Sequence, residues 1–209
     1  MNYASRITQH LLEGKLICAY ETKEDFQRLT QNEDIRERVE STLFNLDRRL
    51  QTLESGNAFY AVRNSLDTSA QQDARRFFSD LISKAREELA WMDLLAESTQ
   101  QETFVQAGNL ISYSDVIHAI DYNQSLQQKL RELLKVNNEA SIVLLVSKLF
   151  ERLKQRGIVI EESARNNQYR FTSRLELIQQ ALVFVAMHNM LHTEPNENHD
   201  SAKSQQRML

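Results

Sequence analysis

The sequence predicts a mainly α fold with small β-hairpin wings, and two observations lead to this prediction. Only four glycines and one proline occur in 209 residues, so tight turns have few places and residues that favour helices are common. At two places an amphipathic helix is followed by two short strand-like segments around a polar turn. This repeated order is that of a winged helix, so we expect tandem winged-helix units joined by a long helix.

The first unit is predicted from apolar periodicity and from turn residues. Its strongest signal is the spacing of three and four between apolar residues from Asp34 to Leu50, which is typical of one helix face. Ser55, Gly56 and Asn57 then favour a tight turn, so the segments on either side are expected to pair as strands. The predicted elements are a helix over 5–12, a strand over 15–19, a helix over 23–29, a helix over 34–50 and strands over 49–54 and 58–63.

A long helix is predicted to join the two units. It begins near Asp67, Thr68 or Ser69, each of which is suited to cap a helix N-terminus, and it reaches about Ser98. Its apolar stripe is expected to pack against other helices. The stripe consists of Phe77, Leu81, Ala85, Leu89, Met92 and Leu95.

The second unit repeats the order of the first, with helix 141–156 ending before Gly157. Its predicted elements are a strand at 110–111, a helix from Ser112 or Ser114 to 121, helices over 124–135 and 141–156, strands over 158–162 and 168–171, and a last helix from Thr172 or Ser173 to about 192. We therefore divide the chain into four parts. These are a winged-helix-like unit over 1–66, a linking helix and loop over 67–108, a winged-helix unit with a terminal helix over 109–192, and a disordered tail over 193–209.

Charge is concentrated in the second unit. The chain has a net charge of −4, so any DNA contact must be a local patch, whereas residues 141–174 contain seven basic and three acidic residues. Spacings of four place three of the basic residues along one helix edge, and Arg165 lies in the turn of the hairpin. The alternative interpretation is that these basic residues form an ordinary solvated helix face, which would show the same spacing. The candidate DNA-binding residues are Lys148, Arg152, Lys154, Arg156, Arg165 and Arg170.

The last helix has no wide polar face, which predicts that it is buried on all sides. A small domain rarely covers every side of a terminal helix, so part of its surface is expected to meet a second copy or another subunit. Burial against the long helix is the alternative. The candidate interface residues are Leu175, Ile178, Leu182, Phe184, Val185, Met187 and Leu191.

No catalytic, metal or cofactor site is predicted. The glycines lie too far apart for a phosphate-binding loop, and Cys18 is read as a buried thiol. His188 and His192 have the spacing of helical metal ligands, but Asn189 stands where a catalytic glutamate would be needed, so we interpret them as interface or surface residues. The sequence therefore predicts a protein that is not an enzyme.

A reducing compartment is predicted, because Cys18 is the single cysteine. The longest apolar run, residues 181–187, is far shorter than the roughly 20 residues needed to span a bilayer, and we recognise no secretory signal after Met1. We expect a cytoplasmic protein without a membrane partner.

Five segments resemble the MukE and MksE proteins, which are accessory subunits of bacterial condensins. In the second unit, between Leu110 and Ile178, the segments are LISYSDVIHAI, LRELLKVNN, KLFERLKQRGIVI and NNQYRFT, and the first unit resembles the family more loosely through GNAFYAVR. The short tail, which ends in QQRML, favours the MksE-like branch. The resemblance implies a homodimer without enzymatic activity or cofactors, which binds a kleisin subunit of the MksF or MukF kind. It also implies indirect association with an SMC ATPase of the MksB or MukB kind, and a role with DNA in chromosome organisation and segregation or in plasmid defence.

A transcription regulator is the alternative function. It would bind an operator as a homodimer through the helix over 141–156, and it would recognise a specific sequence without partners. Two winged units in one short chain and an acidic overall charge make this reading less natural. A small enzyme has no residues to support it.

Overall fold

A computed structural model describes residues 2–65, 67–99, 105–136 and 140–192 of the chain, with the backbone alone for residues 188–192. The predicted disordered tail over 193–209 lies outside these residues. In chain order the elements are α1 (Tyr3–Leu12), β1 (Ile17–Cys18), α2 (Lys23–Gln31), α3 (Glu33–Asn45), β2 (Arg48–Thr52), β3 (Ala58–Arg63), α4 (Thr68–Ser98), β4 (Leu110–Ser112), α5 (Tyr113–Asp121), α6 (Gln124–Leu134), α7 (Ile142–Gln155), β5 (Val159–Ser163), β6 (Gln168–Phe171) and α8 (Ser173–His192). The predicted fold class, mainly α with small hairpin wings, is confirmed.

The first unit packs α1, α2 and α3 against a three-stranded antiparallel sheet in the order β1-β3-β2. Ile7, Leu29, Val39 and Leu43 are fully buried and form one apolar cluster with Phe59 of the sheet. Burying a side chain of this size stabilises a fold by about 1.5–3 kcal/mol, so these few residues hold the helices on the sheet.

Helix α3 is shorter than the apolar spacing predicts. It ends at Asn45, and Asp47 then takes a left-handed backbone conformation with φ of 56°, which turns the chain into β2. Leu50, predicted as the last residue of the helical stripe, pairs with Ala61 in the sheet instead. The prediction was wrong here because a spacing of three and four also fits a helix followed directly by a strand.

The second unit has the same sheet order, β4-β6-β5, and one additional helix between its first strand and its hairpin. Its core is larger because the C-terminal half of α4 contributes Trp91, Leu94 and Leu95, all at most 1% exposed. Ser112 and Ser141 cap α5 and α7 as side-chain acceptors, so the predicted starts of these helices are confirmed within one residue.

Only part of the predicted stripe of α4 is buried. Leu81, Ala85 and Leu95 lie in the interior, whereas Phe77 and Leu89 are 46% and 45% exposed. Periodicity identifies the apolar residues of a helix but not the length over which neighbouring elements cover them. Neighbouring elements of the described chain therefore cover only part of the apolar stripe of α4.

Candidate nucleic-acid and partner interfaces

Helix α7 presents one face to the core and the other to the surface. Leu149 and Leu153 are fully buried, which fixes the rotation of the helix about its axis. On the opposite face, Val143 and Leu144 near the N-terminus are 54% and 49% exposed. The beginning of this surface is therefore apolar, and it is better suited to contact protein than phosphate groups.

The predicted basic edge of α7 lies partly against α4. The Arg152 guanidinium is 3.3 Å from the Glu87 carboxylate, and Arg156 is 3.6 Å from Glu87 and 3.8 Å from Glu88. Lys148 is exposed and forms no ion pair with a residue that the structure describes. Lys148 is thus accessible, whereas Arg152 and Arg156 are paired with carboxylates of the same chain.

Glu88 is a buried carboxylate beside these arginines, with 4% of its surface exposed. Its burial raises its pKa above the ordinary value, and the nearby Arg156 and Arg174 oppose the rise. The arginines therefore offset part of the cost of burying this charge.

The second hairpin contributes one accessible cation at its turn. Arg165 is exposed between β5 and β6 and has no ion pair within the described part of the chain. Lys154, at the end of α7, is 3.5 Å from the Glu161 carboxylate of β5. Of the six candidate DNA-binding residues, Lys148 and Arg165 are accordingly the two that project without a described ion pair.

Arg170 connects the second hairpin to its surroundings. Its guanidinium donates to the Glu162 carboxylate at 3.0 Å and to the Gly108 carbonyl oxygen at 2.8 Å. Lys23 of the first unit is 3.2 Å from the same carboxylate. The hydrogen bonds from Arg170 and Lys23 hold the pKa of Glu162 below its usual value. Arg170 is thus part of an internal network that joins the two units.

The candidate interface residues of α8 divide into a buried and an exposed group. Leu175 and Ile178 are 3% and 5% exposed and lie in the core of the second unit, against which Leu182 also packs. Val185 is half-buried, and the side chain of Leu191 lies outside the described residues. The first turns of α8 therefore pack within the chain itself.

Beyond these turns, α8 and α4 present a group of exposed and half-buried apolar residues around three contacting aromatic rings, which we call the aromatic patch. The ring of Phe184 stacks on that of Phe78 with centroids 5.4 Å apart, and Phe77 contacts Phe78 edge to face. Phe184 is 54% exposed and Met187 is 63% exposed. The residues of the aromatic patch are Phe77, Phe78, Ile82, Val183, Phe184 and Met187.

The turn of the first hairpin docks on the N-terminus of α8, which sequence reasoning missed. The Glu176 carboxylate accepts hydrogen bonds from the Ser55 N–H at 3.0 Å and from the Ser55 hydroxyl at 2.5 Å. The Ser173 hydroxyl donates to the Asn57 carbonyl at 3.2 Å, and the Cys18 thiol donates to the Ser173 Oγ at 3.1 Å. These partners lie more than 110 positions apart in the sequence, so no local signal could have identified them.

The described residues hold no group of three or more His, Cys, Asp or Glu side chains arranged for a metal ion. Within the same residues, none of the helices has the length and apolar character needed to cross a membrane.

A mainly α chain with two hairpin-bearing units and exposed apolar and basic surfaces has the features of a subunit of a larger assembly. The chain matches the family model of condensin complex protein MksE over residues 2–182. It belongs to this family and is an accessory subunit of a condensin complex. The predicted resemblance to the MukE and MksE proteins is confirmed. No curated protein matches the chain.

Proposed function

We propose that the protein is a homodimeric winged-helix subunit without enzymatic activity, which binds a kleisin and contributes to DNA binding beside an SMC ATPase. The observation that carries this proposal is the match to the condensin family over residues 2–182. The work of the complex would be chromosome organisation and segregation or plasmid defence. The protein would then act in the cytoplasm at the nucleoid, with unit boundaries near residues 66, 108 and 192.

The aromatic patch supports dimerisation. Isolated exposed apolar residues are common on protein surfaces, but a contiguous group of aromatic and aliphatic side chains is typical of an interaction site. Phe184 and Met187 of α8 are 54% and 63% exposed. A two-fold axis would bring the same patch of each copy together and cover both.

A groove in the first unit supports kleisin binding. It has a volume of about 830 Å³, lies between α1 and α3, and includes Ala4, Leu12 and Leu46 in its lining. Apolar anchors of this kind supply most of the binding energy where a partner segment docks.

DNA binding is assigned to the outer edge of the second unit. Lys148 and Arg165 are exposed, one on α7 and one in the hairpin turn, so both suit contact with phosphates. Arg152 and Lys154 are partly exposed in their ion pairs with Glu87 and Glu161. Exposed ion pairs of this kind contribute about 0–1 kcal/mol, so they can exchange for phosphate contacts.

Affinity purification of the tagged full-length protein from its native host, followed by mass spectrometry, tests the proposal. We expect a large coiled-coil ATPase and a kleisin to copurify in fixed proportion, and the isolated protein to bind DNA weakly and salt-dependently. Recovery of the protein alone, together with one discrete DNA site, would instead favour the homodimeric transcription regulator. The apolar start of the exposed face of α7, at Val143 and Leu144, speaks against that alternative.

A further inference from the structure

A cleft of about 820 Å³ lies between the two units, and Glu13 lines both this cleft and the groove of the first unit. One wall comes from the end of α1 and the loop around β1. The other wall comes from α4, the end of α7 and the start of α8. Because its walls belong to different parts of the chain, the cleft exists only when the two units are packed together.

Positive charge dominates the lining of the cleft. Its two carboxylates, Glu13 and Glu21, are outnumbered by five cations, which gives a balance of +3 within a chain of net charge −4. Four further carboxylates, those of Asp80, Glu87, Glu88 and Glu161, stand outside the lining and pair with Lys84, Lys154 and Arg156. Lys15 and Arg174, on opposite walls, are therefore the cations of the cleft that are most available to an anion. The five cations are Lys15, Lys84, Lys154, Arg156 and Arg174.

Lys15 and Arg174 are held weakly, or not at all, by the partners that the structure describes. The Lys15 ammonium is 2.7 Å from the Glu13 carboxylate, but the two side chains are 62% and 41% exposed. Such a pair contributes about 0–1 kcal/mol and is screened by salt, so an incoming anion displaces it at little cost. Arg174 is exposed and forms no ion pair within 4 Å with any residue that the structure describes.

We propose that this cleft binds the phosphodiester backbone of DNA, as a second contact surface in addition to the outer edge of α7. Lys154 and Arg156 line the cleft and lie on the same helix as Lys148, so a ligand whose charge repeats along its length can contact both surfaces. The inference rests on the DNA role proposed above and adds the path that the DNA follows.

An acidic peptide is the competing ligand, and the lining of the cleft disfavours it. Peptide recognition depends on apolar or aromatic anchors that enter pockets. Among the described residues of the cleft, Leu16 is the single large apolar side chain, and the remaining lining is mainly charged and polar. Contact with phosphates needs cations and donors but no such anchors.

Three double variants of the full-length chain test the proposal, each of which lowers the net charge by the same amount. The cleft variant is Lys15→Glu with Arg174→Glu, and the edge variant is Lys148→Glu with Arg165→Glu. The control is Arg49→Glu with Arg76→Glu, two exposed arginines that line neither surface. Arg174 is one of the cations that oppose the raised pKa of the buried Glu88, so Arg174→Glu is expected to cost some stability, although the first turn of α8 favours an acidic side chain. Lys15→Gln with Arg174→Gln is a milder version of the cleft variant.

The measurement is the fluorescence anisotropy of a labelled DNA duplex at several salt concentrations, with the chain alone and with its copurified partners. Each lost phosphate contact reduces the slope of log K against log salt by about 0.9, so the cleft variant is expected to lose about 2 in slope relative to the control. Thermal unfolding followed by circular dichroism verifies that each variant is folded.

The outcomes separate the two proposals. If the edge variant loses affinity while both cleft variants match the control, the cleft inference is overturned and the outer DNA edge stands. If the cleft variant alone loses affinity, the cleft stands and the outer edge is withdrawn. Binding of poly-glutamate in preference to duplex DNA, lost in the cleft variant, would overturn the inference in favour of an acidic peptide. If the wild-type chain and its complex do not bind DNA, both assignments fall.

Discussion

Replacing Ser173 with cysteine should allow a disulfide to form with Cys18 and lock the two units together. Cys18 lies in the first sheet and Ser173 opens α8, and the thiol is 3.1 Å from the serine hydroxyl oxygen. Cys18 is the only cysteine in the chain, so no other pairing competes within one molecule. Both positions are at most 1% exposed, which shields the new pair from cysteines of other molecules.

The size of the effect follows from the length of chain that the disulfide would close. The two residues are 155 positions apart, and closing a loop of this length stabilises the folded state by about 5 kcal/mol in the chain-entropy model. The variant also loses the hydrogen bond from Ser173 to Asn57, which costs about 1 kcal/mol whether or not the disulfide forms. For a chain of this size, the oxidised form should melt about 10 °C or more above the reduced form.

The folded protein is oxidised mildly and then denatured for thiol titration, because both thiols are buried in the native state. Thermal unfolding with and without reductant measures the change in stability. Ser173→Ala controls for the lost hydrogen bond, and Ser173→Cys combined with Cys18→Ser controls for the new thiol. If Ser173→Cys is folded but both thiols remain free after oxidation, the packing of the first sheet on α8 is refuted, and the inter-unit cleft with it.

Three further substitutions have effects that can be predicted from the surroundings of a single residue. Phe184→Glu should convert the proposed dimer to a monomer, which light scattering would detect. Dimer affinity should fall at least about 100-fold, because about half of a phenylalanine side chain of roughly 200 Å² would no longer be buried in each copy. An unchanged mass would place the dimer interface elsewhere. Burial raises the pKa of Glu88, so its destabilising effect is absent below the ordinary carboxyl pKa and develops as pH rises through the raised pKa. Glu88→Gln should therefore raise the melting temperature relative to the wild type at neutral pH but not near pH 4, and an equal difference at both pH values would contradict the argument. Gly108→Ala should be more destabilising in urea than Gly56→Ala, by roughly 1–3 kcal/mol, because both have positive φ but only at position 108 does the new Cβ meet a neighbour, the Tyr20 hydroxyl at 2.6 Å. Equal losses for the two variants would count against this close approach.

Several elements could be predicted from the sequence because their causes are local. Strands β3 and β6 begin and end at the predicted residues, since polar turn residues and short apolar segments define a hairpin within a few positions. Ser141 caps α7 because its side chain reaches the backbone N–H of Leu144 three residues later. The family resemblance has the same origin, since it depends on the order of such local elements.

The surroundings of the charged and apolar side chains were decided by the tertiary structure. Spacing along α7 places Arg152 and Lys148 on one edge, but the pairing of Arg152 with Glu87 joins residues 65 positions apart. Likewise, the composition of α8 predicts that the whole helix is buried. In the structure, the first turns of α8 pack in the core of the second unit, and Phe184 is exposed.

The sequence alone therefore determined the fold class, the approximate course of most elements and the kind of protein. Only the tertiary structure decided which cations are paired, which apolar residues are exposed and where the two units form a cleft. The physical reason is that helix periodicity, capping and turn formation act within a few residues, while ion pairing and burial depend on segments that meet only after the chain has folded.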